Sequence, residues 1–149
     1  MTDSCFVDTN ILVYARDSGA GAKQKKAEAL LEELWSSRRG RISVQVLNEY
    51  FVAVTRKLKP GLPAKIAWDD VTSLRAWQPV PMDYSLMERA HDLFAQHSLS
   101  WWDSLIVAAA AAAGSDVLYS EDLSHGQLLG NVRIVNPFLE LECKSTTSL

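Results

Sequence analysis

The sequence predicts an α/β fold in which a short parallel sheet is covered by helices on both faces. Three observations carry this. Short apolar runs rich in β-branched residues alternate with amphipathic helical segments along the whole chain. The 149 residues are 48% hydrophobic, enough for one substantial core. Gly and Pro number only 7 and 5, which leaves no composition for a flexible linker or a low-complexity segment. Residues 1–149 therefore read as one domain, with a polar, frayed tail at about 144–149.

Each element has its own signal. Ser4 to Val7 is an apolar run stopped by Asp8-Thr9-Asn10, and Ile11 to Ala15 continues as a helix, so the chain begins as a buried strand turning into a helix. Lys23 to Ser37 carries Ala27, Leu30, Leu31, Leu34 and Trp35 at helical spacing with Lys and Glu opposite. Gly40 breaks the chain before a second strand at Arg41 to Val44. Leu47, Tyr50, Phe51, Val54 and Leu58 then recur with helical period until Pro60-Gly61.

Pro63 suits the first turn of a helix reaching Trp77, with Ile66, Val71 and Leu74 inward. Gln78 to Met82 reads as extended, and Asp83 caps a helix bearing Leu86, Ala90, Leu93 and Phe94. Ser100 opens the most apolar helix, Trp101 to Ala113, which Gly114 closes. Asp116 to Tyr119 and Val132 to Val135 are strands, and residues 120–131 between them read as a loop.

In a parallel sheet the functional crevice lies at the carboxyl ends of the strands. Asp8 follows the first strand and Asp122 the strand ending at Tyr119, while Glu49 and Asp103 lie near the starts of two helices. Four acids thus have reason to converge. Unpaired carboxylates crowded together repel one another unless a cation joins them. No Lys or Arg stands within four positions of Asp103 or Asp122. Hard oxygen ligands without Cys or paired His favour magnesium or manganese over zinc. Such ions activate water and stabilise a leaving oxygen, which is the chemistry of phosphodiester hydrolysis.

Each acid taken alone also has an ordinary explanation. Ser100 and Asp103 fit a capping box, Asp8 fits a helix cap, and Glu49 and Asp122 fit a solvated helix face and a polar loop. Their shared placement is what points to a site. The three histidines lack metal-ligand spacing, and Trp101 and Trp102 cannot both face the core, so one of them borders the cleft.

Charge is distributed unevenly. Residues 1–75 carry 12 Lys/Arg against 9 Asp/Glu, whereas residues 76–149 carry 3 against 9. Basic groups in the first half, namely Lys23, Lys25 and Lys26, the Arg38, Arg39 and Arg41 group, Arg56, Lys57 and Lys59, and Arg16 beyond Asp8, are candidates for holding phosphates. Cys5 and Cys143 have no partner spacing, no signal peptide is visible, and the longest apolar run, Leu105 to Ala113, is too short for a bilayer. A cytoplasmic protein with no membrane role is the expectation.

Val7-Asp8-Thr9-Asn10, Asn48-Glu49, the run from Trp102-Asp103-Ser104 to Ala110, and Leu118 to Leu123 occur in the order found in PIN-domain ribonucleases. Over residues 4–138 the chain resembles that family, and most closely its VapC-type toxins of bacterial toxin-antitoxin pairs. The resemblance implies a three-layer α/β/α PIN-like domain with a short central parallel sheet flanked by helices. It implies that Asp8, Glu49, Asp103 and Asp122 bind Mg2+ or Mn2+ and cleave RNA, and that Thr9, Asn10 and Ser120 orient these acids or contact phosphate. Glu121 competes with Asp122 as the fourth acid, and Ser120-x-Asp122 is the better match. A cognate antitoxin and a homodimer come with the resemblance. The rival readings are a non-catalytic interaction domain of the same fold and a phosphatase using Asp8 as nucleophile, which would want an Asp where Asn10 stands.

Overall fold

The computed structural model describes residues 3–139. The polar tail and Cys143 lie outside the described residues. The chain runs β1 (Cys5–Val7), α1 (Thr9–Arg16), α2 (Ala22–Ser37), β2 (Gly40–Arg41), α3 (Val44–Val52), α4 (Ala64–Ser73), α5 (Tyr84–Gln96), α6 (Trp101–Ala112), β3 (Val117–Tyr119), β4 (Leu128–Leu129) and β5 (Val132–Val135). The five strands form one sheet in the order β2-β1-β3-β5-β4. Strands β2, β1, β3 and β5 are parallel, and β4 pairs antiparallel with β5. Helices α1 to α4 pack among themselves, whereas α5 packs on α6 and α6 on β3 and β5. The architecture is a three-layer α/β/α sandwich with a mostly parallel sheet.

The central strand β1 is buried throughout, whereas β3 and β5 bury alternate residues, so three or four residues suffice to cross the core. Phe6, Leu118 and Ile134 stand side by side in the β1, β3 and β5 register and are fully buried with Ile11, Leu34, Ile42 and Leu105. Alanines 108–110 of α6 are also buried, their small side chains letting the helix approach its neighbours closely. Gly114 takes a left-handed φ of 74° just past α6, which ends that helix as the sequence predicts.

Several boundaries differ from the sequence reading. The second strand stops at Arg41, because the Ser43 hydroxyl accepts a hydrogen bond from the Val46 amide and caps α3, so Val44 is already helical. In the segment expected to be extended from Gln78 to Met82, Gln78 instead takes a left-handed φ of 54°, and Val80 forms a single parallel bridge to Ser43. The helix predicted over 47–58 changes to a π turn at Ala53–Lys57. The one predicted over 63–77 becomes a 3-10 turn at Leu74–Trp77. On α4 it is Ala67 that is buried, while Ile66 is exposed. Likewise α5 buries Leu86 and Ala90 but leaves Phe94 exposed, its ring against the edge of Trp101. The predicted loop 120–131 contains β4.

Gly40 lies inside β2, and a Cβ there would come within 2.5 Å of the Trp77 ring. Its smallness is a packing requirement. Among the described residues no helix is long and apolar enough to cross a membrane.

Candidate active site

The first strand delivers Asp8 to the carboxyl edge of the sheet. Its amide donates to the Tyr119 carbonyl at 2.9 Å, extending the β1–β3 ladder by one residue. Its side chain then turns inward as the cap of α1, accepting from the Thr9 amide at 2.7 Å. The Ser120 hydroxyl, at the same level on the neighbouring strand end, donates to the other carboxylate oxygen at 2.8 Å. Asp8 is only 6% exposed and Ser120 fully buried. Burial pushes the Asp8 carboxyl up to about 6; the Ser120 and Thr9 hydrogen bonds oppose this, and the charges of Asp122 and Glu49 add to it.

The other acids are placed around it. Ser120 Oγ accepts from the Asp122 amide at 3.2 Å, and Asn10 Nδ2 donates to Asp122 Oδ2 at 3.0 Å. Thr9 Oγ1 donates to Glu49 Oε1 at 2.7 Å, tying α3 to the start of α1. Asp103 sits in the first turn of α6, its amide donating to the Ser100 hydroxyl at 3.0 Å. That is the Ser100 half of the capping arrangement, so the local and site readings of Asp103 coexist. Its carboxyl is raised by burial first, then by the charges of Asp122 and Glu49. Asp8, Glu49, Asp103 and Asp122 therefore share one electrostatic neighbourhood, with Thr9, Asn10 and Ser120 threaded between them.

Among the described residues the ion pairs join Arg16 to Asp70, Lys23 to Glu121, Arg39 to Glu33 and Lys65 to Asp69, and none reaches these four carboxylates. The donor set is oxygen throughout, it is short of positive charge, and it includes a carboxylate that is costly to ionise; a hard divalent cation fits it. Among the described residues no three Asp, Glu, His or Cys side chains are already gathered into a ligand cage. Hydroxyls and amides hold three of the carboxylates: Ser120 and Thr9 on Asp8, Thr9 and Gln45 on Glu49, and Asn10 on Asp122.

A family model described as the PIN domain matches residues 5–128. The chain belongs to the PIN domain family. Solved PIN-type structures resemble it closely in fold. VapC20 from Mycobacterium tuberculosis, a sarcin-ricin loop cleaving toxin, shares 23% identity at a TM-score of 0.61, over 80% of this chain and 90% of that one. A toxin-antitoxin complex from Klebsiella pneumoniae shares 20% at 0.65, over 90% and 98%. VapBC2 from Rickettsia felis, bound to a DNA fragment from its promoter, shares 18% at 0.59, over 89% and 97%. No curated protein matches the sequence significantly.

The basic residues sit elsewhere in this PIN domain. Eight residues along α1 from Asp8, or about 12 Å at the helical rise, Arg16 forms a bidentate pair with Asp70 through Nε at 2.9 Å and Nη2 at 2.6 Å. Tyr50 donates to the same carboxylate. Arg16 is thus committed to holding α1 and α4 together and does not reach the acids. Arg38 and Arg39 precede β2 at the amino edge of the sheet, opposite the acids, because β2 runs parallel to β1 with Gly40 beside Cys5. Arg39 pairs with Glu33, and Arg41 folds back onto the Arg38 and Gly40 carbonyls. Of the arginines offered as phosphate-holding candidates, Arg16 is therefore taken up by Asp70, and Arg38 and Arg39 lie at the end of the sheet away from the acids.

His125 accepts from the Asn136 amide at 3.0 Å, tying the loop after β3 to the end of β5. Trp102 is the exposed member of the tryptophan pair. Gln45 escaped the sequence reading: nearly buried, it donates to Glu49 Oε2 at 3.1 Å and to the Trp102 carbonyl at 3.4 Å, joining α3 to α6 beside the acids. Its position four residues before Glu49 on one helix was the available signal.

Proposed function

We propose that this PIN domain is a divalent-metal-dependent endoribonuclease, the toxin of a toxin-antitoxin pair. The observation that carries the reading is the buried Asp8 carboxylate, which like Asp103 feels the charges of Asp122 and Glu49 and is reached by none of the ion pairs of the described residues. Asp8, Glu49, Asp103 and Asp122 would hold the ion, Mg2+ or Mn2+. When bound, it supplies positive charge for the phosphate oxygens and acidity for a hydrolytic water.

The chain's own groups set the geometry. Thr9 and Ser120 fix both oxygens of Asp8, Ser120 also fixes the backbone of Asp122, Asn10 aims the Asp122 side chain, and Thr9 and Gln45 each hold one oxygen of Glu49. Acids held in this way need little rearrangement to bind a cation and an RNA phosphate together. The toxin assignment is supported by toxin and toxin-antitoxin structures that share the fold. The partners are then RNA, an antitoxin protein and a second copy of the chain.

The test is cleavage of a mixed RNA pool by chelator-treated protein, with and without added Mg2+ or Mn2+. Wild type regains cleavage with metal, while Asp8→Asn and Asp103→Asn, folded by circular dichroism, do not. Full activity in either variant, or cleavage indifferent to chelator, overturns the reading.

A further inference from the structure

Two carboxylates stand in succession after β3, and the structure separates their roles. Glu121 is held by side chains of α1 and α2. Tyr14 Oη donates to its Oε1 at 2.6 Å, and Lys23 Nζ, from the first turns of α2, pairs with its Oε2. The same ammonium lies 5.1 Å from the Tyr14 ring centroid and 5.5 Å from that of Phe138, and those rings meet edge to face at 5.1 Å. The Glu121 amide donates to Asn10 Oδ1 at 3.3 Å, and Asn10 Nδ2 donates to Asp122. Two helices, α1 and α2, thus hold one residue, with Phe138 packed against the Tyr14 and Lys23 that grip it, and through Asn10 that residue is linked to the next.

We infer that Lys23, Tyr14, Phe138 and Glu121 form a clamp that positions the loop after β3, so that Asp122 and not Glu121 is offered to the divalent ion. They are positioning residues and touch neither metal nor substrate. The inference rests on the reading of the acids as a divalent-ion site. Its physical basis is that each Glu121 carboxylate oxygen already has a partner, the Tyr14 hydroxyl on Oε1 and the Lys23 ammonium on Oε2. Releasing it to serve as a ligand would abandon both partners and strand Lys23 between two rings. Among the described residues Asp122, by contrast, has a side-chain donor, Asn10, on Oδ2 alone. Pairing Lys23 with Glu121 also keeps that ammonium from neutralising the acids that the ion requires.

The experiment is Mn2+ binding to the full-length, metal-free protein, followed by paramagnetic resonance of the free ion and set beside the Mn2+ dependence of RNA cleavage. The double substitution Lys23→Met/Glu121→Gln removes one charge of each sign, so its effect reports position and not net charge. Groups that orient metal ligands are worth about ten- to a hundredfold in affinity. We expect the double variant to bind Mn2+ about tenfold more weakly and to need about tenfold more Mn2+ for half-maximal cleavage, with a saturating rate near wild type. Lys23→Arg, which keeps the cation and its donors, is expected to retain affinity within about threefold.

Affinity within about twofold of wild type in the double variant overturns the clamp while leaving the metal site standing. So does a double variant that loses Mn2+ as completely as Asp8→Asn, since Glu121 would then be a ligand itself. If wild type shows no Mn2+ binding that depends on Asp8 and Asp103, the underlying site fails and the clamp with it.

Discussion

Converting Asp8 to Asn should stabilise the metal-free protein, the reverse of what a buried, doubly hydrogen-bonded side chain usually does. The folded carboxyl sits at about 6 against an ordinary value of 3.8. The fold therefore holds the Asp8 proton more tightly than the unfolded chain does. That contribution is fully present below pH 3.8 and is lost as pH rises through about 6, so at pH 7.5 the ionised group weakens the fold by about 3 kcal/mol. Asn imitates the protonated acid. It remains a good helix cap, its oxygen can still accept from the Thr9 amide, and its NH2 can donate to Ser120 Oγ if that hydroxyl rotates. Loss of a negative charge at the start of α1 offsets about 0.3–1 kcal/mol. A net gain of about 2 kcal/mol remains, or about 4–8 °C in Tm for a chain of this size. Urea unfolding in EDTA at pH 7.5 and pH 4 measures it, and at pH 4, where wild type is also protonated, the advantage should shrink below about 1 kcal/mol. An Asp8→Asn protein no more stable than wild type at pH 7.5, or equally advantaged at both pH values, would refute the argument that burial strains this carboxylate.

The remaining expectations follow from the same geometry. Saturating Mn2+ or Mg2+ should raise the Tm of wild type, by about 2.7 kcal/mol of stability at a hundred times Kd, and a calorimetric scan of Asp8→Asn/Asp103→Asn should show no such rise; an equal shift would locate the ion elsewhere. Gly40→Ala, whose Cβ would enter the Trp77 ring at 2.5 Å, should cost about 1–3 kcal/mol yet leave cleavage intact well below its melting point, a result checked by denaturation and assay at low temperature. Arg38→Ala/Arg41→Ala, altering the sheet edge opposite the acids, should keep the cleavage rate within about twofold; a tenfold loss would mean that substrate reaches that edge. Arg16→Ala leaves Asp70 and Tyr50 without their guanidinium, so its effect should fall on stability, about 1–3 kcal/mol by analogy with other charged hydrogen-bonded groups, with metal affinity unchanged.

The parts of this molecule that were legible in its sequence are those governed by near neighbours. Asp8 follows three strand residues and precedes a helix, and both facts are visible within ten positions. Ser100 and Gly114 bracket α6 by capping chemistry that needs no tertiary information. The strand predicted to reach Val44 shows the limit: β-branched Val44 and Val46 suit a strand, but Ser43 caps α3 and the helix takes both. The small strand β4 was signalled weakly by the Gly130-Asn131 turn between Leu129 and Val132, but two residues fall below any periodicity.

Long-range pairing was not legible, and it decided the electrostatics. The basic excess of the first half looked like a phosphate-binding surface, yet Arg16 is consumed by Asp70, 54 positions away, and Lys23 by Glu121, 98 positions away. Opposite charges at such separations leave no local pattern. Only the strand order, which sets β1 between β2 and β3, determines which loops meet. The same order gives two adjacent acids different partners. Glu121 and Asp122 are equivalent as residue types, but β3 ends beside α1, whose Tyr14 and Asn10 lie one helical turn apart on the face that the loop crosses. Tyr14 holds Glu121 and Asn10 holds Asp122, so the spacing of two residues on α1 sends the neighbouring carboxylates to different partners.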